Sequence, residues 1–307
     1  MRNIFIIFLL LNSFLGFAQE IDSETTVDIK PYFNIQDHNN YQFTTHDIRI
    51  EGNDTVQNDY VKYKAYVEVL DLYKDQYTLH WHIYDIENSN KNITRNPLSF
   101  LQELDIYYTM DATGKFSDFQ HNNFTLVQFR TALEQVQDQY ADQPSVQKIL
   151  DQVDEHYEKL EQVNSIFAKD IAQFHHFFGR GRYDVNKTPI VANTYIDNLF
   201  NDNPTPAKTD FRLEDHSPYS NTYILTSTSV ADEEWLKESW FKYLERTARQ
   251  MDVEAPKRDE IDSNIVYTID TTNRLQETGW LSYSMQVKRV NFLDTAFTQR
   301  RKIEYIP

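Results

Sequence analysis

Two histidines, His80 and His82, stand two positions apart within the alternating stretch Tyr77–Ile83. On a strand, residues i and i+2 point to the same side, so both imidazoles can reach one metal ion. His175 or His176 adds a ligand if the segment that carries them packs nearby. The pair alone supplies two ligands, where stable zinc sites draw three or four from the protein. His80 and His82 also lie opposite Leu79, Trp81 and Ile83, on the wetter face of the strand, where a solvated or hydrogen-bonded imidazole is the commoner state. The expectation is a hydrogen-bonded pair, with no metal and no other cofactor.

Other chemistries have less to stand on. Asp and Glu number 47, so carboxylate pairs for acid–base work can be nominated anywhere and none is singled out. The chain contains no GxSxG, no HExxH and no glycine-rich phosphate loop. Gly179-Arg180-Gly181-Arg182 is too short for such a loop and reads as a helix end, where arginines suit the dipole. It and Arg300-Arg301-Lys302 are the densest positive spots. No catalytic residue emerges, and a non-enzymatic role is favoured over an enzyme. With no cysteine, disulfides, zinc–thiolate sites, thiol catalysis and an N-terminal lipid anchor are excluded.

The elements that must position these residues follow from period. Val61, Tyr63, Ala65, Val67 and Val69 alternate with polar neighbours, as do Tyr77–Ile83, Leu104–Met110, Ile265–Ile269, Leu281–Val287 and Phe297–Tyr305. Such alternation marks antiparallel strands with one buried face. Gly52-Asn53-Asp54, Tyr73-Lys74-Asp75 and Asp111–Gly114 are turn-like links. Between the two strand groups the apolar spacing becomes helical, first over Leu126–Tyr140 and then, beyond Pro144 and a capping Ser145, over Val146–Phe178 with a break at Asn164-Ser165. Asp232 caps a further helix whose stripe runs from Trp235 to Met251. Tyr108–Phe116 matches Tyr267–Leu275 closely, which suggests the same hairpin turn used twice. The expected fold class is α+β: two antiparallel sheet units, over residues 20–182 and 183–307, covered by amphipathic helices. Tyr157, Phe167, Phe174 and Phe178 are core residues or, alternatively, line an apolar pocket under the helices.

Arg2 is the only charge before Glu20, Ile4–Leu11 is an apolar run too short to span a bilayer, and Gly16 and Ala18 follow it. Residues 1–19 therefore read as a cleavable signal peptide, and the mature protein as periplasmic or secreted, soluble and not a lipoprotein. The net charge of −17 repels nucleic acid and anionic headgroups, so neither is an expected partner. Three functions stay open: a non-enzymatic envelope protein that binds an apolar ligand or another envelope component, an interaction module that meets a protein or glycan, and a hydrolase.

The Phe17-Ala18-Gln19-Glu20 ending resembles signal peptides of Gram-negative bacteria related to Bacteroides and Flavobacterium. The YxxDxxG-type hairpin at Tyr108–Gly114, followed by helices that end in an aromatic-rich turn, is similar to uncharacterised exported proteins of that group, over residues 40–183 and again 260–285. The arrangement also resembles, at the level of fold alone, the half-barrel of lipoprotein-carrier proteins. No family catalytic residue carries over. Asp54-Thr55-Val56, Asp270-Thr271-Thr272 and Asp294-Thr295-Ala296 resemble sites that these bacteria O-glycosylate, which implies modification of Thr55, Thr271 and Thr295 where they are exposed. N-terminal sequencing of the protein from an envelope fraction is expected to begin near Gln19 or Glu20; a chain that begins at Met1 would contradict the export reading.

Overall fold

The computed structural model describes residues 26–93, 96, 98–120, 123–200, 203–217, 221–254, 257 and 265–307. The signal-peptide expectation lies outside them. The first group of strands is β1 (Thr26–Asp28), β2 (His38–Glu51), β3 (Asp54–Tyr73), β4 (Gln76–Asn88), β5 (Leu104–Asp111) and β6 (Phe116–Phe119). Helices α1 (Asn123–Gln139), α2 (Pro144–His156), α3 (Leu160–Asn164) and α4 (Ala168–Phe174) follow. The chain then forms β7 (Arg182–Asp184), β8 (Ile190–Ile196), β9 (Thr205–Ser217), β10 (Thr222–Ala231), α5 (Glu233–Gln250), β11 (Ile265–Gln276), β12 (Leu281–Phe292) and β13 (Thr295–Ile306).

Mostly antiparallel sheet with helices, as expected, the strands nevertheless do not divide into an N-terminal and a C-terminal sheet. Eleven of them make one open sheet in the order β6-β5-β4-β3-β2-β13-β12-β11-β10-β9-β8, while β1 pairs with β7 apart from it. The join is β2 with β13, in register from Thr295–Glu51 to Ile306–Asn40. Two separate units would each leave a long strand edge of unpaired backbone groups, and this pairing removes both. Short turns make the neighbours antiparallel. At the β3–β4 turn Lys74 and Asp75 both take positive φ, as a tight two-residue hairpin loop requires.

The first three predicted strands present the residues expected of them. Val67, Val69, Leu79, Trp81, Ile83, Leu104, Ile106, Tyr108 and Met110 are buried on one face, here called the inner face. Phe174 of α4 meets Trp81 and Tyr41 edge-on, with ring centroids 5.5 and 5.3 Å apart, and Phe167 meets Tyr63 at 5.0 Å. Phe129, Leu133, Leu150 and Val153 of α1 and α2 join the same apolar cluster. On the far half of the sheet Leu236 of α5 packs with Ile265, Tyr267 and Val290, and half-buried Trp240 meets Phe292 at 4.6 Å. Asp232 caps α5 as predicted, its Oδ1 accepting from Trp235 N at 2.8 Å.

Several local expectations need correction. Pro144 is the first residue of α2 and Ser145 makes no cap; the proline ring suits the first helical turn, where an amide has no partner. The second helical segment does break at Asn164-Ser165, where a 3-10 turn over Ser165–Phe167 begins, but it is also interrupted earlier, at 157–159. Thr205–Ser217 is a strand that carries Pro206 next to its first residue, where a missing amide is tolerated. The two matched segments are not equivalent either. Tyr108–Phe116 does contain a turn, with Gly114 at φ +85° and Asp111 Oδ1 accepting from Thr113 N and Lys115 N. Tyr267–Leu275 runs straight through β11, and the corresponding turn glycine is Gly279 at φ +91°.

His175, just past α4, ties the helices to the Gly114 turn. Its Nδ1 lies 2.9 Å from the Gly114 carbonyl, to which it donates, and its Nε2 accepts from Tyr108 Oη at 2.7 Å. Both contacts suit a neutral ring, and burial pushes its pKa from 6.5 down to about 4, against a smaller upward effect of the Gly114 carbonyl. Between those two values the unfolded chain binds a proton that the folded chain refuses, so stability must fall as pH falls through this window. By pH 5 the loss from this one group is about 2 kcal/mol. Urea unfolding at pH 7 and pH 5 is expected to show that difference shrink by about this amount in His175→Gln; an unchanged difference would assign the acid sensitivity elsewhere.

Candidate ligand-binding cleft

Where the first half of the inner face is apolar, the second half carries a polar field, and in β12 one extra residue turns polar side chains toward it. Leu275 pairs with Leu281, but Arg274 pairs with Tyr283 and Asn273 with Ser284. Ser282 is thus bulged, and the alternation of β12 shifts by one. Tyr283, Met285 and Val287, which the sequence pattern places in line with Leu281, turn to the outer face. Ser284, Gln286, Lys288 and Val290 take the inner positions, opposite Asn273, Thr271, Ile269 and Tyr267. On β13 the inner row is Phe297, Gln299, Arg301 and Ile303, opposite Val290, Lys288, Gln286 and Ser284.

Helix α4 faces this row with polar side chains that share its apolar stripe. Asp170 is three residues after Phe167 and four before Phe174, so it is carried into the interior. Its Oδ1 accepts from Arg301 Nη2 at 2.6 Å, and both residues are buried. Gln173 donates through Nε2 to Ser284 Oγ at 2.8 Å and to the Arg301 carbonyl at 3.1 Å. Gln173 Oε1 and Arg301 Nε remain buried without a hydrogen-bond partner. Burial, and then the charge of Asp170, keep the neighbouring Tyr63 phenol protonated far above its usual range.

Beyond this network lies a cleft of about 460 Å3 between α4 and strands β8–β13. A second cavity of about 430 Å3 adjoins it and shares Lys169, Tyr195, Ile196, Asp197 and Lys288 with it. A row of hydroxyls forms part of the floor: Thr194 Oγ1 to Thr209 Oγ1 is 2.6 Å, and Thr209 Oγ1 to Ser229 Oγ is 2.7 Å. Four cations line the cleft, Lys169, Arg180, Lys288 and Arg301, against Asp197. Arg301 is matched by Asp170, and Lys169 by Asp197 at 2.5 Å. Burial acts to raise the Asp197 carboxyl, but Lys169, backed by Lys288 and Arg301, outweighs it and holds the group below its usual range.

The other two cations have no such partner. Among the described residues neither Lys288 nor Arg180 has a carboxylate at ion-pair distance. Lys288 Nζ sits 5.0 Å from the centre of the Tyr267 ring, and burial lowers its pKa despite the opposing pull of Asp197. The Arg180 guanidinium rests 4.6 Å from the centre of the Phe211 ring and donates through Nε to the His176 carbonyl. Lys288, half-buried over a ring face, is favourable to an incoming anion, whose charge then acts in a medium less screened than water, and Arg180 adds a second cation at the exposed rim.

The residues expected to matter are distributed differently. His80 and His82 do share a partner, but it is one carboxylate. Asp105 Oδ1 lies 2.6 Å from His80 Nε2 and 3.0 Å from His82 Nδ1, while Oδ2 accepts from Gln128 at 2.6 Å. Burial acts to raise Asp105, but hydrogen bonds from His80, Gln128 and His82 hold it lowered. Among the described residues no group of three His, Cys, Asp or Glu is placed to hold a metal ion. His176 lines the cleft, with Nε2 2.7 Å from Ser227 Oγ, whereas His175 is spent on the Gly114 turn. Arg182 pairs in β7 with Asp28, away from the cleft. Phe167, Phe174 and Phe178 are packed in the core; Tyr157 borders a cavity of about 310 Å3, beside Val153 and Leu98. Thr55 is exposed and Thr295 half-buried. Thr271 is 2% exposed and accepts from Gln286 Nε2, so it has no access to a modifying enzyme in the folded chain.

No family model matches the chain, and no curated protein matches it. Among solved structures, one described as "lipid-protein interactions in lipovitellin" is similar in fold at 9% identity and a TM-score of 0.43. The match covers 90% of this chain and 25% of that one, so this chain spans about a quarter of that protein's length. The resemblance to exported Bacteroides and Flavobacterium proteins finds no counterpart in these comparisons.

The Asp170–Arg301 pair can be tested directly. Asp170→Ala leaves a buried guanidinium uncompensated and is expected to cost about 3–5 kcal/mol in urea unfolding. Asp170→Leu combined with Arg301→Met removes both charges and is expected to recover most of that loss. A single substitution that costs under about 1 kcal/mol would mean the pair is solvated.

Proposed function

We propose that this chain is an exported, non-enzymatic binding protein of the cell envelope, and that the inner-face cleft holds a small anionic organic molecule. The observation that carries this reading is the pair of cations, Lys288 and Arg180, that have no carboxylate partner among the described residues and line one cleft of a chain whose net charge is −17. A strongly acidic surface gains nothing from gathering cations around a hollow unless an anion is received there. The hydroxyl row and Gln286 add neutral donors and acceptors for the rest of the ligand. Of the rings read as core or pocket lining, Phe167, Phe174 and Phe178 pack in the core, and the anion-binding cleft lies beside them on the inner face. Export and a periplasmic or secreted location rest on residues 1–19, with the exposed Thr55 the glycosylation site that stays within reach. No described helix is long and apolar enough to cross a membrane. The halves 20–182 and 183–307 are proposed as the two building units of the one sheet.

A second reading is favoured by the outer face. There His80 stacks on Tyr107 at 4.5 Å, His82 on Tyr84 at 5.4 Å and His38 leans on Tyr66 at 5.2 Å. Flat rings with polar edges suit contact with a protein or a glycan. Hydrolysis is supported least, because the one carboxylate that meets these histidines has both oxygens committed to hydrogen bonds.

The test of the first reading is thermal unfolding with panels of small organic anions, cations and neutral analogues. An anion at about a hundred times its dissociation constant is expected to stabilise the fold by about 2.7 kcal/mol. Lys288→Met with Arg180→Ala is expected to abolish the effect. Equal stabilisation by cationic or neutral analogues, or none by any anion, would refute anion binding.

A further inference from the structure

Lys288 borders a third space as well. A slot of about 190 Å3 is lined by Leu199, Phe200, Val290, Phe292, Thr295 and Phe297, and Lys288 stands at its edge. Phe292 meets Trp240 of α5 at 4.6 Å and Phe200 at 6.2 Å, so aromatic packing builds one wall. The same lysine therefore closes the apolar slot and lines both polar cavities. Along β12 the inner row reads Ser284, Gln286, Lys288, Val290, Phe292. Successive side chains on one face of a strand are about 7 Å apart. The row thus passes from hydrogen-bonding groups, through one cation, to hydrocarbon. β13 runs beside it with the same gradient, from Arg301 and Gln299 to Phe297.

We infer that the ligand is an anionic amphiphile, with a carboxylate-type head on Lys288 and a short alkyl chain or single ring in the slot beside Val290, Phe292 and Phe297. The inference rests on the anion-binding reading and adds the tail. A purely polar anion leaves the slot unused, and a neutral apolar molecule leaves Lys288 unmatched. A cationic amphiphile meets Lys169 and Lys288 at the mouth. The Tyr267 ring lies under the Lys288 ammonium, with its centre 5.0 Å from Nζ, and helps to hold the cation in place. The small slot selects a short tail over a long acyl chain.

Isothermal titration calorimetry of the full chain with octanoate, butanoate, octanol and octyltrimethylammonium tests this. Octanoate is expected to bind about a hundredfold more tightly than butanoate, from four further methylenes removed from water. Lys288→Met is expected to weaken octanoate at least about tenfold and to leave octanol unchanged. Thr295→Phe, which fills the slot from a half-buried position, is expected to bring octanoate down to the level of butanoate without affecting butanoate. Circular dichroism and thermal unfolding verify that both variants fold. Octanoate and butanoate bound equally by the wild type, and both lost in Lys288→Met, would overturn the tail while the anion site stands. Octanoate and octyltrimethylammonium bound equally would overturn the charged head. No binding of either carboxylate would overturn this inference and, with a negative anion panel, the functional reading beneath it.

Discussion

The pairing of β2 with β13 holds the first and last long strands of the chain together over twelve residues, Asn40–Ile306 to Glu51–Thr295. Everything on the inner face depends on it. It sets Phe43 beside Ile303 and Tyr41 beside Tyr305, so the aromatic core of the N-terminal half continues without a seam into the C-terminal half. It also brings Gln299 Nε2 to Asp47 Oδ1 at 2.8 Å, a bond between residues 252 positions apart. Contacts at such separation are entropically expensive to close. Once made, they are shared by every strand on either side, which is why breaking this one ladder would uncouple both halves.

The bulge at Ser282 decides the chemistry of the face that the pairing creates. Without the extra residue, Met285 and Val287 would turn inward in place of Gln286 and Lys288, and β12 would give the cleft an apolar stripe. With it, Ser284, Gln286 and Lys288 look inward, and α4 must answer with Asp170 and Gln173. A buried ion pair is a poor way to gain stability, since desolvation offsets most of the attraction. Its presence between the helix and the sheet fits a role in fixing how α4 sits over β12 and β13, and so in setting the shape of the cleft that opens beside it.

At the other end of the sheet the helix exit is locked by close approach. A Cβ on Gly114 would come within 2.6 Å of the Phe178 ring, and one on Gly279 within 2.7 Å of Pro31 Cα. The segment after β1 runs over both turns, with Phe33 stacked on Trp280 at 4.2 Å and edge-on to Tyr77 at 5.8 Å. Residues from the β3–β4 and β11–β12 turn regions, on opposite halves of the sheet, thereby meet one ring. The cleft opens between elements held from both ends, which suits a preformed site.

Much of this architecture is legible in the chain by itself. The alternations at Val61–Val69, Tyr77–Ile83 and Leu104–Met110 name the buried residues of β3, β4 and β5, because side-chain direction on a strand follows position alone. Asp232 announces α5, because a cap needs only its own helix. The hydrogen-bonded character of His80 and His82 was likewise readable from their side of the strand, though not Asp105, which reaches them from the next strand. Part of the cleft had a signal: Arg301 falls in phase with Phe297 and Ile303, and Asp170 in phase with Phe167 and Phe174, and a charge on an apolar face asks for a buried partner. Lys288 had none, since its direction hangs on a bulge set by pairing with β11, and a shift of one residue reverses a strand's faces. Which strands become neighbours, and so whether the chain makes two sheets or one, lies equally beyond local pattern. Edges carry no sequence label for their partner; only the closed hydrogen-bond ladder between β2 and β13 settles it.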